Sequence, residues 1–473
     1  MANNMAVTIV GDAALEPTIP PCPQTGIICP CSDVTVDQMQ SVWDRGFQEM
    51  ELVKRATLAG TGTCQGSTCI PYLRSFLAAR GAELQPPFTA RPVTRQLTMG
   101  EIAAGQHHHP IPRTPLDGEH RTLGARMDRI GGWWRPWNYG DVAAEYEAVR
   151  HRVSIGDVST LGKMILKGPD AEATLQRIYP TDVSTIKRGR SRYVLMLNER
   201  GYVFDDGLIA REPDDTFSLT FTSGGASMAE MWIRDWSASF GHDVRILNQT
   251  MSLGAINVTG PRAKDLLAKA GLDGTPSYMG HAAAVVAGVP CKIFRLSFTG
   301  ELSFELHHPV DRSVELWRAL MELGAEYDIV PHGLEALEQL RLEKGHILIG
   351  VDSDYDSTPR RLHHEWAVNM NKGDFIGRQA LLRTNDIPLD KMLVGLTVEG
   401  PAAPFEGAAI WNGDAYAGYV TSSTWSPILQ KAVMLGWVDL VDEHLPESVV
   451  IEGLTASISM PPFYDPDGGR ARG

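Results

Sequence analysis

The sequence predicts a multidomain α+β fold made of a small helical unit, a mixed α+β core and a C-terminal all-β barrel. Three observations point to it. Four of the six cysteines crowd into residues 29–69, among helical stretches. Between about 130 and 385, short alternating runs such as Phe217-Ser218-Leu219-Thr220-Phe221 mix with helix-period runs such as Ala226 to Trp236 and Leu334 to Glu343. From Met392 onward strand follows strand, punctuated by Gly400, Gly407, Gly413 and Gly418. The length of 473 residues suits about three domains at roughly 150 residues each.

Residues 1–27 carry Pro17, Pro20, Pro21 and Pro23 without an apolar period and read as an extended leader. The cysteine-bearing unit is expected over 28–82. Thr35 and Gln38 have the T-x-x-Q spacing of a capping box, and Gly46 is placed to end the first helix. A second helix carries Met50, Leu52, Val53 and Leu58 and ends at Gly60 and Gly62. A third follows Cys69, with Leu73, Phe76 and Leu77 on one face. Residues 83–118, rich in Pro and Arg, read as a linker; its His107-His108-His109 triplet reads as solvated, because consecutive side chains do not converge on one ion. The mixed core is expected over 119–388 and the barrel over 389–473.

Charge and hydropathy narrow the function classes. Forty-three basic against 57 acidic residues give a net charge of −14, a field that repels phosphate backbones and argues against a nucleic-acid partner. The N-terminus has no basic n-region or apolar h-region, and no apolar run approaches the roughly 18 residues a membrane span needs. The expectation is a soluble, cytoplasmic protein with no membrane partner.

Cys29, Cys31, Cys64 and Cys69 form C-x-C, a gap, then C-x-x-x-x-C. Four clustered thiols argue for a metal site over a disulfide framework. They match a [2Fe-2S] cluster, which takes two thiolates per iron, each pair coming from one loop. Gly60, Gly62 and Gly66 permit the close backbone approach that lets N–H groups bond cluster sulfurs. Cys69 opens a helix whose dipole favours an anionic centre. Structural zinc, which more often uses C-x-x-C pairs, and unligated thiols are the alternatives. Cys291, in the strand-like run Val289 to Phe294, reads as a small core residue.

The runs CPCSDVTVDQM and GTGTCQGSTC resemble the bacterioferritin-associated-ferredoxin-like [2Fe-2S] domain and keep all four ligands. From about 115 to the end, the segments RPWNYGDVAAEYEAVRHRVSIGDVSTLGKMILKGPDA, YVLMLNERGYVFDDGLIARE, SFTGELSFEL, LRLEKGHILIG, DFIGRQAL, GYVTSSTWSPIL and PPFYDP resemble the glycine-cleavage T-protein (aminomethyltransferase) family. Within it they look most like the C-terminal half of sarcosine oxidase alpha subunits. The resemblance implies a T-protein-like core that binds tetrahydrofolate and accepts a one-carbon unit. It also implies a small-molecule amine substrate and flavoprotein partners in a hetero-oligomer, carrying FAD or FMN and an NAD site.

Asn198 to Gly201 is a turn, after which the chain runs into Asp205 and Asp206. On an extended segment only one of two consecutive acids can face a shared cavity. The resemblance gives that role to Asp206, as a carboxylate that stabilises iminium charge and takes a proton. It gives Glu305 the pterin N–H donors as a charge-assisted pair, and makes Tyr193, Thr222 and Tyr278 further pocket residues. Departures are visible: Thr222, Phe298 and Leu337 stand where T-proteins carry Asn, Tyr and Arg. The basic runs Lys187-Arg188-Arg190-Arg192 and Arg360-Arg361 are either solvated surface or attractors for a polyanionic tail. Two other functions stay open: an electron-transfer and assembly subunit with a vestigial pocket, and a stand-alone aminomethyltransferase or demethylase. The leading reading requires Asp206 and Glu305 to face one cavity.

Overall fold

The computed structural model describes residues 20–83 and 111–473. The leader up to residue 19, most of the expected linker and the histidine triplet lie outside the described residues. The chain divides into two compact units, Met1–His109 and Pro110–Gly473.

In the first unit, strand β1 (Ile27–Cys29) pairs with β2 (Val34–Thr35), followed by helices α1 (Val36–Asp44), α2 (Met50–Thr57) and α3 (Ile70–Ala78). The Thr35 hydroxyl accepts the Gln38 N–H at 3.2 Å while the Gln38 side chain accepts the Thr35 N–H at 2.9 Å, the reciprocal capping box. Val36, Met39 and Val42 of α1, Met50 and Val53 of α2, and Leu73, Phe76 and Leu77 of α3 fill the core. Leu52 and Leu58 do not join them. Leu58 takes a left-handed backbone, φ 64°, at the end of α2 and is 60% exposed, because that conformation swings its side chain off the helix stripe.

The second unit opens with α4 (Asp117–Thr122), and Leu116 just before it is already buried among Val153, Ile155 and Ile256. A ribbon of β3 (Arg126–Ile130) and β4 (Trp133–Asn138) leads to α5 (Val142–His151), β5 (Ser154–Asp157), β6 (Gly162–Lys167) and α6 (Ala171–Ile178). Next come β7 (Arg190–Leu197), β8 (Val203–Arg211), β9 (Phe217–Phe221), α7 (Ala226–Phe240), β10 (Arg245–Asn248), β11 (Leu253–Thr259) and α8 (Ala263–Lys269). Then follow β12 (His281–Val286), β13 (Val289–Arg295), β14 (Ser303–Pro309), α9 (Ser313–Gly324), β15 (Val330–Pro331), α10 (Leu334–Lys344) and α11 (Arg378–Thr384).

These strands form two sheets. One runs β10-β6-β9-β8-β7 and the other β12-β13-β14-β11-β5-β15. Helix α7 continues past Trp236 because Trp232, Trp236 and Phe240 contact one another in series, and Gly241, at φ 70°, ends it. Cys291 sits in the core between the second sheet and its helices, as its strand-like surroundings imply. Six further strands, from Lys391–Glu399 to Leu454–Ser459, close into the C-terminal barrel. A Cβ on Gly418 would stand 1.9 Å from the Trp437 carbonyl oxygen, so only glycine lets these barrel strands meet there.

A buried ionic network ties core to barrel. Arg150 of α5 donates to Glu343 of α10, through Nε at 3.2 Å and also through Nη2, and to Glu301 at 3.0 Å. The other Glu343 oxygen accepts from Tyr146 at 2.8 Å and from Ser426 of the barrel at 2.5 Å. All three charged groups are essentially inaccessible, so each survives only because its partners replace water.

Candidate functional site

A cavity of about 1690 Å³ opens between the two sheets of the second unit. Tyr193, Asp206, Thr222, Tyr278 and Glu305, the five residues expected to form the pocket, all line it. Strand β8 brings Asp206 from one sheet. From the other, β14 brings Glu305, which pairs in register with Asn257 of β11, also on the wall. The cavity exceeds the ~300–1,000 Å³ of ordinary ligand pockets, so it has room for a folate-sized molecule.

Alternation along β8 separates the two adjacent acids. Asp206 faces the cavity and accepts the Tyr193 hydroxyl at 2.7 Å. Burial pushes its pKa up to about 6, while the Tyr193 hydroxyl bond holds it from rising further. Asp205 points the other way and is fully buried. Burial raises it to about 7; the Thr222 hydroxyl draws it back and the charge of Asp206 adds to the rise. A Cβ on Gly225 would lie 2.5 Å from Asp205 Oδ2, so this glycine is what admits the carboxyl beneath the Thr222–Gly225 turn.

Glu305 Oε2 accepts from His307 Nε2 at 3.2 Å, with the proton placed on that nitrogen because the carboxylate is the acceptor. Its other oxygen makes no hydrogen bond with the described residues and remains for a ligand donor. The expected two-point pairing therefore has one oxygen free and one shared with His307. Tyr193, His364 and Trp366 form an aromatic group, Tyr193 and Trp366 with ring centres 5.5 Å apart. Trp366 is 68% exposed despite its size, which places a broad apolar face at the cavity rim.

The three departures from the T-protein pattern all fall on this cavity. Thr222 accepts the Gly225 N–H at 3.0 Å, Phe298 stacks on His346 with ring centres 5.3 Å apart, and Leu337 of α10 presents an apolar side chain. The two basic runs part company. Lys187, Arg190 and Arg192 line the cavity while Arg188 turns away to Asp215. Arg360 and Arg361 are spent on loop contacts, Arg360 on the carbonyls of Asn385 and Ile387 and Arg361 on Asp356 and Asp390. Sequence reading missed Arg135, Asn257, His364 and Trp366. No motif marks them, because these ribbon, strand and loop positions become cavity wall only through the tertiary fold.

In the first unit the four cysteines come together as two sulfur pairs. Cys31 Sγ lies 3.5 Å from Cys64 Sγ, and the Cys29 thiol neighbours that of Cys69, all four being free cysteines. The nearest neighbours thus come from different loops. Among the described residues no group of three or more His, Cys, Asp or Glu side chains is already placed to hold a metal ion. Burial raises the Cys29 pKa, but the backbone N–H groups of Gly60 and Ser32 outweigh it and leave the pKa lowered. N–H groups of Thr68 and Gly66, with Cys31, bring Cys64 down to about 7. A Cβ on Gly62 would meet Cys31 Cβ at 2.2 Å, so that loop closes on the sulfurs only with glycine there. Burial pushes Cys69 up to about 12, so the thiolate-favouring donors act on Cys29 and Cys64. Those donors and the glycine cradle at Cys31 suit a [2Fe-2S] cluster, which Cys29, Cys31, Cys64 and Cys69 would hold.

Comparison with known proteins agrees with both halves. Residues 116–372 match the GCVT N-terminal domain and 391–465 the glycine cleavage T-protein C-terminal barrel domain. The chain belongs to the glycine cleavage T-protein family. Ahead of this region, residues 27–79 match the BFD-like [2Fe-2S] binding domain. An aminomethyltransferase from Halothermothrix orenii is 32% identical over 75% of this chain and 100% of its own length. The sarcosine oxidase subunit alpha of Corynebacterium sp. strain U-96 is 31% identical over 93% of this chain but 49% of its own length. The chain therefore spans about half of that relative. The glycine cleavage aminomethyltransferase T of Bartonella henselae superposes with a TM-score of 0.69 at 27% identity, over 75% of this chain and 99% of its own. This T-protein family member therefore combines a BFD-like [2Fe-2S] binding domain with a mixed α+β core and a six-stranded barrel. Among the described residues no helix is long and apolar enough to cross a membrane.

Proposed function

We propose that the chain is a subunit of a flavin-dependent N-methyl or secondary amine oxidoreductase of the sarcosine oxidase type, in which it traps the oxidised carbon on tetrahydrofolate. The observation that carries this reading is that Asp206 and Glu305, from two different sheets, face one cavity walled by Tyr193, Tyr278 and Trp366. Bound tetrahydrofolate would accept the one-carbon unit as 5,10-methylenetetrahydrofolate, and a bound cluster would pass single electrons between flavins on partner subunits.

The chain's own groups supply orientation and proton handling. Glu305 offers its free oxygen to the N–H edge of a reduced pterin, and the aromatic walls suit a flat ring. Asp206, with a pKa near 6, is ionised at neutral pH and close enough to it to take a proton, while its charge favours a cationic carbon–nitrogen centre. The Tyr193 hydroxyl fixes which way that carboxylate points. Holding the folate amine and the iminium in one cavity raises their effective concentration, so capture on folate outruns hydrolysis to free formaldehyde when folate is bound.

Phe298 and Leu337, which make this stretch of wall apolar, favour a second reading in which the pocket is vestigial and the chain serves electron transfer and assembly. Affinity purification from the native host decides between them. The folate reading expects flavoprotein subunits to co-elute, and formaldehyde release during amine oxidation to fall as tetrahydrofolate is added. Formaldehyde yield unchanged by tetrahydrofolate would refute it and leave the second reading.

A further inference from the structure

Arg135 on β4 lines the same cavity, yet its side chain makes no hydrogen bond or ion pair with any described residue. Its Nε is buried without a partner. Three acids are near enough to be considered, and each has at least one carboxylate oxygen held by another group. Asp157 binds His120 Nε2 at 3.0 Å and the Ser159 N–H at 2.9 Å. Glu338 is held by Arg341 at 2.9 Å. Asp128, opposite Arg135 in the β3–β4 ribbon, accepts the Arg129 N–H at 2.7 Å. The Arg135 Nε is shut off from both water and acceptors while the residue as a whole is only half-buried, so the rest of the fork is left for water or for an acceptor on a ligand. Its planar fork of N–H donors matches a carboxylate at two points. Leu334 and Leu337 of α10 face the same cavity, and an apolar wall strengthens such a pairing by excluding water.

We infer that Arg135 is a specificity-determining residue that binds a carboxylate of the ligand in this cavity. Two sources carry that chemistry: the glutamyl tail of a folate and the carboxylate of an N-methyl amino acid. The inference rests on the folate reading for the first source and is independent of it for the second.

Binding titrations of the purified full chain with tetrahydrofolate, with 6-methyltetrahydropterin, which has the reduced ring but no carboxylate, and with N-methylglycine test it. Arg135→Met should weaken tetrahydrofolate roughly tenfold to a hundredfold and leave 6-methyltetrahydropterin unchanged. Weakening of N-methylglycine alone would assign the second source. Arg135→Lys, which keeps the charge but loses the fork, should fall between. Because the side chain has no partner to lose, Arg135→Met should melt no lower than the unmodified protein. Unchanged binding of both carboxylates, equal loss of the carboxylate-free pterin, or a lowered melting temperature would overturn the inference. Absence of binding of either pterin by the unmodified chain would instead sink the folate reading, with N-methylglycine left to decide the role of Arg135.

Discussion

Replacing Asp206 with Asn should stabilise the folded chain at neutral pH while abolishing its proposed chemistry. In the folded state burial holds the Asp206 pKa at about 6, against 3.8 ordinarily. The folded state therefore binds more protons than the unfolded one between these values, and stability falls as pH rises from about 4 to 6. Above that window the folded protein bears the whole cost of an ionised, enclosed carboxylate. A shift of this size corresponds to roughly 1–3 kcal/mol, the lower figure allowing for water in the cavity. Asparagine can still accept the Tyr193 hydroxyl bond but carries no charge, so Asp206→Asn should gain most of that amount at pH 7 and almost none below pH 4. Urea unfolding of both proteins at pH 4 and pH 7 measures the difference. A variant less stable than the unmodified protein at pH 7, or a difference that does not change with pH, would show that Asp206 is a structural residue.

Tyr193→Phe removes the donor that holds the Asp206 pKa down, so the acid limb of the folate-dependent pH profile should move up by about one pH unit; an unmoved limb would contradict the pairing. Gly62→Ala forces a methyl group onto Cys31 Cβ and should cut iron and acid-labile sulfide per chain by more than half, whereas full cluster content would contradict the cradle. Arg150→Met leaves Glu343 buried without a cation and should cost about 3–5 kcal/mol in urea unfolding, with a loss under about 1 kcal/mol counting against the network.

Much of this architecture was legible in residue patterns, for reasons that are local. The capping box at Thr35 and Gln38, the strand Phe217–Phe221 and the α7 and α10 runs depend on neighbours within a few positions, which sequence spacing reports directly. The assignment of Asp206 over Asp205 to the cavity side followed from the family pattern together with strand alternation, and Asp206 is the one of the two that lines the cavity. Spacing misled where the backbone left its regular path. Leu58 fits a helical stripe until its left-handed turn carries it into solvent. Arg135 and Trp366 carried no signal at all. An arginine in a ribbon and a tryptophan in a loop are unremarkable until the fold leaves one without acceptors and the other on a cavity rim.

Calorimetric titration of the purified chain with tetrahydrofolate tests most directly whether the space between the two sheets is a working reduced-folate site. One saturable site per chain is predicted, with Glu305→Gln weakening it by about tenfold or more because a neutral amide loses the charge-assisted contact. An unmodified chain that gives no saturable heat, or a Glu305→Gln variant that binds as tightly, would contradict it.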